Sequence, residues 1–143
     1  MALTTPYTQS LYETGHTVKH PGVLLASANV PAGTLAVNSS GKVRPYTAAL
    51  AVAGAAFLGM SVSSLVETTG ADYTPPTSMP FVFRRGCRMV VSGKAGDLPT
   101  AANIGGAVAL YDNFTCQATL TSGYTQATLL EVRSDGNFEI LLP

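Results

Sequence analysis

Two stretches of this chain, residues 32–47 and 105–120, follow one pattern. The first reads Ala-Gly-Thr-Leu-Ala-Val-Asn-Ser-Ser-Gly-Lys-Val-Arg-Pro-Tyr-Thr. The second reads Gly-Gly-Ala-Val-Ala-Leu-Tyr-Asp-Asn-Phe-Thr-Cys-Gln-Ala-Thr-Leu. Each is a Gly-led apolar strand, a polar turn and a second strand. Each is followed by another strand pair: residues 56–67 with 80–91, then residues 125–132 with 137–142. The match is one of pattern, with few identities. A β unit used twice, with no catalytic apparatus attached, predicts a rigid building block.

The punctuation supports the strand reading. Residues 34–37 and 42–46 flank Asn38-Ser39-Ser40-Gly41, where Gly tolerates positive φ in a hairpin. Residues 107–111 and 116–120 flank a second turn. Residues 127–132 and 138–142 flank a third, whose Asp135-Gly136 is a strong hairpin signal. Residues 23–28 form a short apolar strand, and residues 29–33 a Pro/Gly turn. Residues 80–91 read as one strand, with Gly86 as a bulge or twist. Residues 72–79 form a polar, Pro-rich loop, and 92–98 a turn. Residues 99–104 allow one helical turn with Asp97 as its cap. Many short strands and no long amphipathic helix predict an all-β fold, a small β-barrel or β-sandwich. The domain division expected is an extended N-terminal arm over residues 1–21, Thr-rich and sparse in apolar residues, then one all-β domain over 22–143.

Charge narrows the function. Only 11% of the 143 residues are charged, eight basic against eight acidic, while 46% are hydrophobic. So little charge protects a monomer poorly against association, which predicts a surface covered by partner subunits. The neutral balance argues against nucleic-acid binding, which needs a basic footprint. Residues 47–66 carry no charge over about the length of a bilayer span. They are mostly Ala, Ser and Gly without flanking basic or aromatic anchors, so no membrane span is expected. They read instead as an Ala-rich loop or short helix (47–55) feeding a buried strand (56–65). The polar opening residues are no secretory leader, so synthesis is expected in the cytoplasm. Cys87 and Cys116 read as reduced, buried thiols.

Candidate chemistry is thin. Glu13, His16 and His20 would share one helix face as metal ligands, but Gly15 and the neighbouring Thr residues disfavour a helix there. Gly54 and Gly59 have phosphate-loop spacing, yet Met60-Ser61 stands where Lys and Ser/Thr are required. Both histidines lie in the expected arm, a poor place to hold a base against a nucleophile. The expectation is a protein that is no enzyme, with no catalytic residue, no metal, no cofactor and no small-molecule substrate.

The one charge cluster is Arg84, Arg85 and Arg88, followed by Lys94. On an alternating strand Arg84 and Arg85 face opposite sides. One of them is therefore expected at a buried or interface surface, paired with Glu67, Asp72 or Glu131 or with a neighbouring subunit. With Tyr7, Leu11 and Tyr12 of the arm, these three arginines are the candidate contacts with neighbouring subunits.

Laid out this way, the sequence resembles the capsid cement or decoration proteins of tailed-bacteriophage heads. The shared pattern is a Gly-led strand with a Gly-Lys-Val hairpin (residues 32–44), then an Ala-rich link into Leu-Gly-Met-Ser (within 57–63). Phe-Arg-Arg-Gly (83–86), Ala-Asn-Ile-Gly-Gly-Ala-Val-Ala-Leu-Tyr-Asp (102–112) and the final strand (137–142) complete it. The resemblance runs from residue 23 onward and leaves residues 1–21 outside. It implies a protein on the outer surface of the virion capsid, often trimeric, that clamps neighbouring capsomers of major capsid protein against internal pressure. Two alternatives stand beside it: another virion part such as a head–tail connector, tail-tube or fibre subunit, and a small β-barrel enzyme or carbohydrate-binding module. The last is disfavoured by the absence of Trp and the scatter of the six Tyr.

Overall fold

The computed structural model describes residues 2–9 and 15–143. The chain is nearly all β, as the spacing of its short strands predicts. The first half holds β1 (His16–His20), β2 (Val23–Leu24), β3 (Asn29–Val30), β4 (Leu35–Ser39) and β5 (Lys42–Pro45). The short helix α1 (Ala48–Val52), capped by the Thr47 hydroxyl on the Leu50 N–H, leads to β6 (Ala56–Ser61), β7 (Leu65–Val66) and β8 (Phe81–Arg85). The second half holds β9 (Arg88–Gly93), a single 3-10 turn at Ala101–Asn103, β10 (Ala107–Asp112), β11 (Thr115–Gln117), β12 (Gln126–Val132) and β13 (Phe138–Leu141).

The two halves repeat one topology. In the second, β10 and β11 form an antiparallel hairpin, β12 adds antiparallel to β10, and β13 adds to β12. β9 closes this barrel: it runs antiparallel to β13 through Arg88–Val91 pairs and parallel to β11 at Ser92 and Gly93. In the first half β4 and β5 form the hairpin, β6 adds to β4, and β8 adds to β6. β1 runs antiparallel to β8, and β2 runs parallel to β5. Only Pro21 and Gly22 separate β1 from β2. They lie at the two edges of a six-stranded sheet and together follow the path that β9 follows as one strand, so the first half is a barrel interrupted at this point, whereas the second is closed. The break has a local cause: Pro21 has no N–H to give a neighbouring strand, and the Gly22 N–H turns to His20 Nδ1 at 2.7 Å. Each pairing of the six-stranded sheet thus has its counterpart, with the same sense, in the closed barrel; the separate β3–β7 pair has none.

Packing explains why the halves form one body. β4 is buried on both faces, with Leu35, Ala36 and Val37 all inaccessible. Alternation sends Ala36 into the first barrel, beside Leu24, Val43, Leu58 and Phe83. It sends Leu35 and Val37 outward into a second core shared with Met89, Leu110 and Ile140 of the other barrel. Tyr46 and Met60 join that shared core. Each large apolar side chain buried there is worth about 1.5–3 kcal/mol. Gly59 (φ +116°) lets β6 pass close to β8: a Cβ there would sit 2.2 Å from the Arg84 carbonyl oxygen. It lies beside a register shift in the β4–β6 ladder.

Several expectations need correction. Residues 80–91 are not one strand. The chain leaves the first barrel at Arg85, turns at Gly86 (φ +61°) and enters the second at Arg88. Residues 16–20 belong to the sheet, held by five paired positions on β8, and not to an arm. The expected turn at 29–33 begins with β3, which pairs with β7. Asp97 does not cap the 3-10 turn. There the Asn103 Oδ1 accepts from the Thr100 N–H at 2.8 Å, while Asp97 accepts from the Thr119 N–H and hydroxyl.

Candidate functional site

The three arginines sit around the crossing between barrels, and each makes contacts within the molecule. Arg88 Nη2 lies 2.5 Å from Glu139 Oε1. Glu139 stands two residues from Leu141, the residue directly opposite Arg88, so the pair is a diagonal one on one face of the sheet. Two of the carboxylates expected as partners are engaged elsewhere. Asp72 binds Lys42 at 2.8 Å, and Glu67 serves its own loop. The Arg85 guanidinium lies over the Phe57 ring at 5.7 Å, an attraction between cation and ring quadrupole. Arg84 lines a cavity of about 400 Å³ together with Tyr7, Gln9, Gly33 and Met60.

That cavity is walled by the N-terminal segment, which acts as a strap over the seam between barrels. The Leu3 N–H donates to Asn113 Oδ1 at 2.9 Å, and Asn113 Nδ2 donates back to the Leu3 carbonyl at 2.8 Å. The Tyr7 N–H donates to the Ala32 carbonyl, and the Tyr7 ring packs 4.7 Å from Phe114. Gln9 uses its side-chain amide like a strand partner. Its Oε1 accepts from the Val90 N–H at 2.6 Å, and its Nε2 donates to the carbonyls of Val90 and Gly33, each at 3.0 Å. Ala32 and Gly33 belong to the first barrel, Val90, Asn113 and Phe114 to the second, so the strap fastens one to the other. Gly33 (φ +79°) is required for this approach, since a Cβ would lie 2.0 Å from the Tyr7 carbonyl oxygen. Tyr7 is therefore spent on its own body. Leu11 and Tyr12 lie outside the described residues, as does Glu13.

A second concave region was not anticipated. The β6–β8 ladder ends where the Val62 N–H meets the Val82 carbonyl at 3.2 Å. Beyond it the two segments part and leave a groove of about 550 Å³, walled by Leu65, Tyr73, Pro75, Met79 and Pro80, with Lys19 among its lining residues. The connecting loop is fastened along its length. The Glu67 carboxylate accepts from the N–H groups of Ser27, Thr69 and Gly70 and from the Thr69 hydroxyl. Led by the Thr69 hydroxyl, these donors hold Glu67 at a pKa of about 2 despite the opposing effect of burial. Asp72 accepts from the Ala26 N–H at 2.8 Å, and Tyr73 exchanges backbone hydrogen bonds with Leu24. The signal that could have revealed this region is a length mismatch: residues 62–80 join β6 to β8, whereas 133–137 join the equivalent β12 to β13.

Among the described residues no three of His, Cys, Asp and Glu come together. His16 and His20 lie on a strand, and His20 is engaged on both ring nitrogens, by the Gly22 N–H and by Asn38 at 3.1 Å. Cys87 and Cys116 are free and buried. Burial pushes the Cys87 thiol up and that of Cys116 to about 12, so neither is a ready nucleophile. Among the described residues no helix is long and apolar enough to cross a membrane; the charge-free residues 47–66 resolve into α1, β6 and β7. Comparison with profiles of known protein families, with characterised proteins and with solved structures returned no match.

Proposed function

We propose that this chain is a structural protein of a bacteriophage virion that binds the outer surface of the head and cements neighbouring capsomers. The observation that carries the reading is the doubled barrel. Two copies of one circuit share a core through Leu35, Val37, Tyr46 and Met60, and a strap bolts the seam from outside. Such a body keeps its shape while it bears on several neighbours, which is what a clamp requires. The charge-poor surface suits burial against other subunits. The partner in this reading is the major capsid protein. A homotrimer would gain affinity by repetition, since linked weak contacts bind at high effective concentration. The reading involves no reaction, cofactor, nucleic acid or small-molecule substrate.

The test is to mix purified protein with undecorated, expanded heads and sediment them. Co-sedimentation at a fixed copy number supports the reading, and absence of binding sinks it. Rings or tubes formed by the isolated protein would assign it instead to a connector or tail. The native mass, measured with and without residues 1–9, locates the oligomer contact.

A further inference from the structure

The two copies of the barrel differ most in one connection. Residues 25–34 correspond to 94–106, and 46–55 to 118–125, with similar lengths in each case. Residues 62–80, however, replace the tight turn 133–137, where the Arg133 N–H simply meets the Asn137 carbonyl at 2.9 Å. In duplicated scaffolds an insertion confined to one copy marks the face that has acquired a task. Here the insertion creates the groove walled by Leu65, Tyr73, Pro75, Met79 and Pro80.

We propose that this groove is a docking site for a peptide segment of the shell protein that carries apolar side chains and a carboxylate; the identity of the source rests on the function proposed above. Its walls are apolar, and they are held out to solvent: Met79 is 72% exposed and Tyr73 47%. These exposures do not come from a loose loop. Glu67, Asp72 and Tyr73 fasten the insertion to the Leu24–Ala28 region, and the Met79 N–H closes a turn on the Pro76 carbonyl. A surface fastened in advance loses little entropy on binding. Met79 supplies a side chain that adapts to varied apolar partners.

Charge selects the occupant. Lys19 is the only ionisable side chain lining the groove apart from the Tyr73 phenol, and it forms no ion pair among the described residues. The complement is an acidic group next to apolar side chains. Pro75, Pro76 and Pro80 offer no N–H for adding a strand, so side chains carry the recognition.

Two arms test this with the full-length protein and the variants M79D and K19E, both at exposed positions and checked for an unchanged Tm. In the first, a random peptide library is panned on wild type and counter-selected on the double variant. Enrichment of apolar sequences containing Asp or Glu, bound about tenfold or more tighter by wild type than by either variant, supports the groove. No enrichment, or enrichment of basic sequences, overturns it. In the second arm, the variants should bind undecorated heads at least about tenfold more weakly than wild type. Equal binding overturns the groove and leaves the proposed function standing. If wild type itself fails to bind heads, the function reading falls and the peptide arm alone decides the groove.

Discussion

Tyr46 joins the two barrels through one buried oxygen, and removing that oxygen should cost a defined amount. Its hydroxyl donates to the Leu110 carbonyl and accepts from the Thr125 N–H, each at 3.1 Å. Tyr46 follows β5 of the first barrel, whereas both partners belong to the second. The residue is wholly inaccessible, and burial raises its pKa, as expected for a phenol cut off from water. The Tyr46→Phe change keeps the ring and its edge-on contact with Phe57 at 6.0 Å. It deletes two hydrogen bonds and leaves two backbone groups poorly solvated, a loss of about 2 kcal/mol. For a chain of 143 residues this corresponds to a drop in Tm of roughly 7 °C. Differential scanning calorimetry reads both the shift and its shape. Because the shared core couples the barrels, wild type and variant should each unfold in a single transition. A shift under about 1 °C would show that the oxygen is not desolvated. Two separate transitions in wild type would refute the claim that the barrels form one cooperative body.

Three further outcomes follow from the same structure. Gly59→Ala forces a side chain into φ +116° and against the Arg84 carbonyl oxygen; it should destabilise by on the order of 3 kcal/mol, seen as a lower urea midpoint. Glu67 titrates near 2 in the folded protein, below its ordinary 4.5; its contribution is therefore present above the ordinary value and lost as pH falls toward 2. The Tm difference between wild type and Glu67→Gln should accordingly narrow across that window, and a constant difference would contradict the assignment. Removal of residues 1–9 should lower Tm and leave the sheet intact by circular dichroism, whereas removal of residues 1–21 also deletes β1 and should abolish the folded state.

Much of the fold was legible because its signals are local. Gly41, and Asp135 with Gly136, mark hairpins through turn chemistry within a few residues, and the doubled pattern at 32–47 and 105–120 marks the repeated unit. The misreadings share a non-local cause. Residues 80–91 read as one strand because Gly86 is the single backbone breaker between Phe81 and Val91; which barrel each half joins is decided by β6 and β13. His16–His20 has no strong alternation, and it becomes a strand because β8 would otherwise have an open edge. Among the candidate contacts, Arg84 and Arg85 were legible as strand residues, but Glu139 as partner of Arg88 depends on register. Gln9 and Asn113 carry no motif. Their roles arise where the strap meets the seam. The groove left one trace in the sequence, the unequal connectors of two otherwise matching units.

In the proposed reading, a stiff doubled barrel reinforces a shell it does not itself build. Calorimetry of undecorated heads, with and without saturating protein, measures this directly. Bound protein should raise the temperature at which the heads rupture. Heads that bind the protein yet rupture at the same temperature would contradict it.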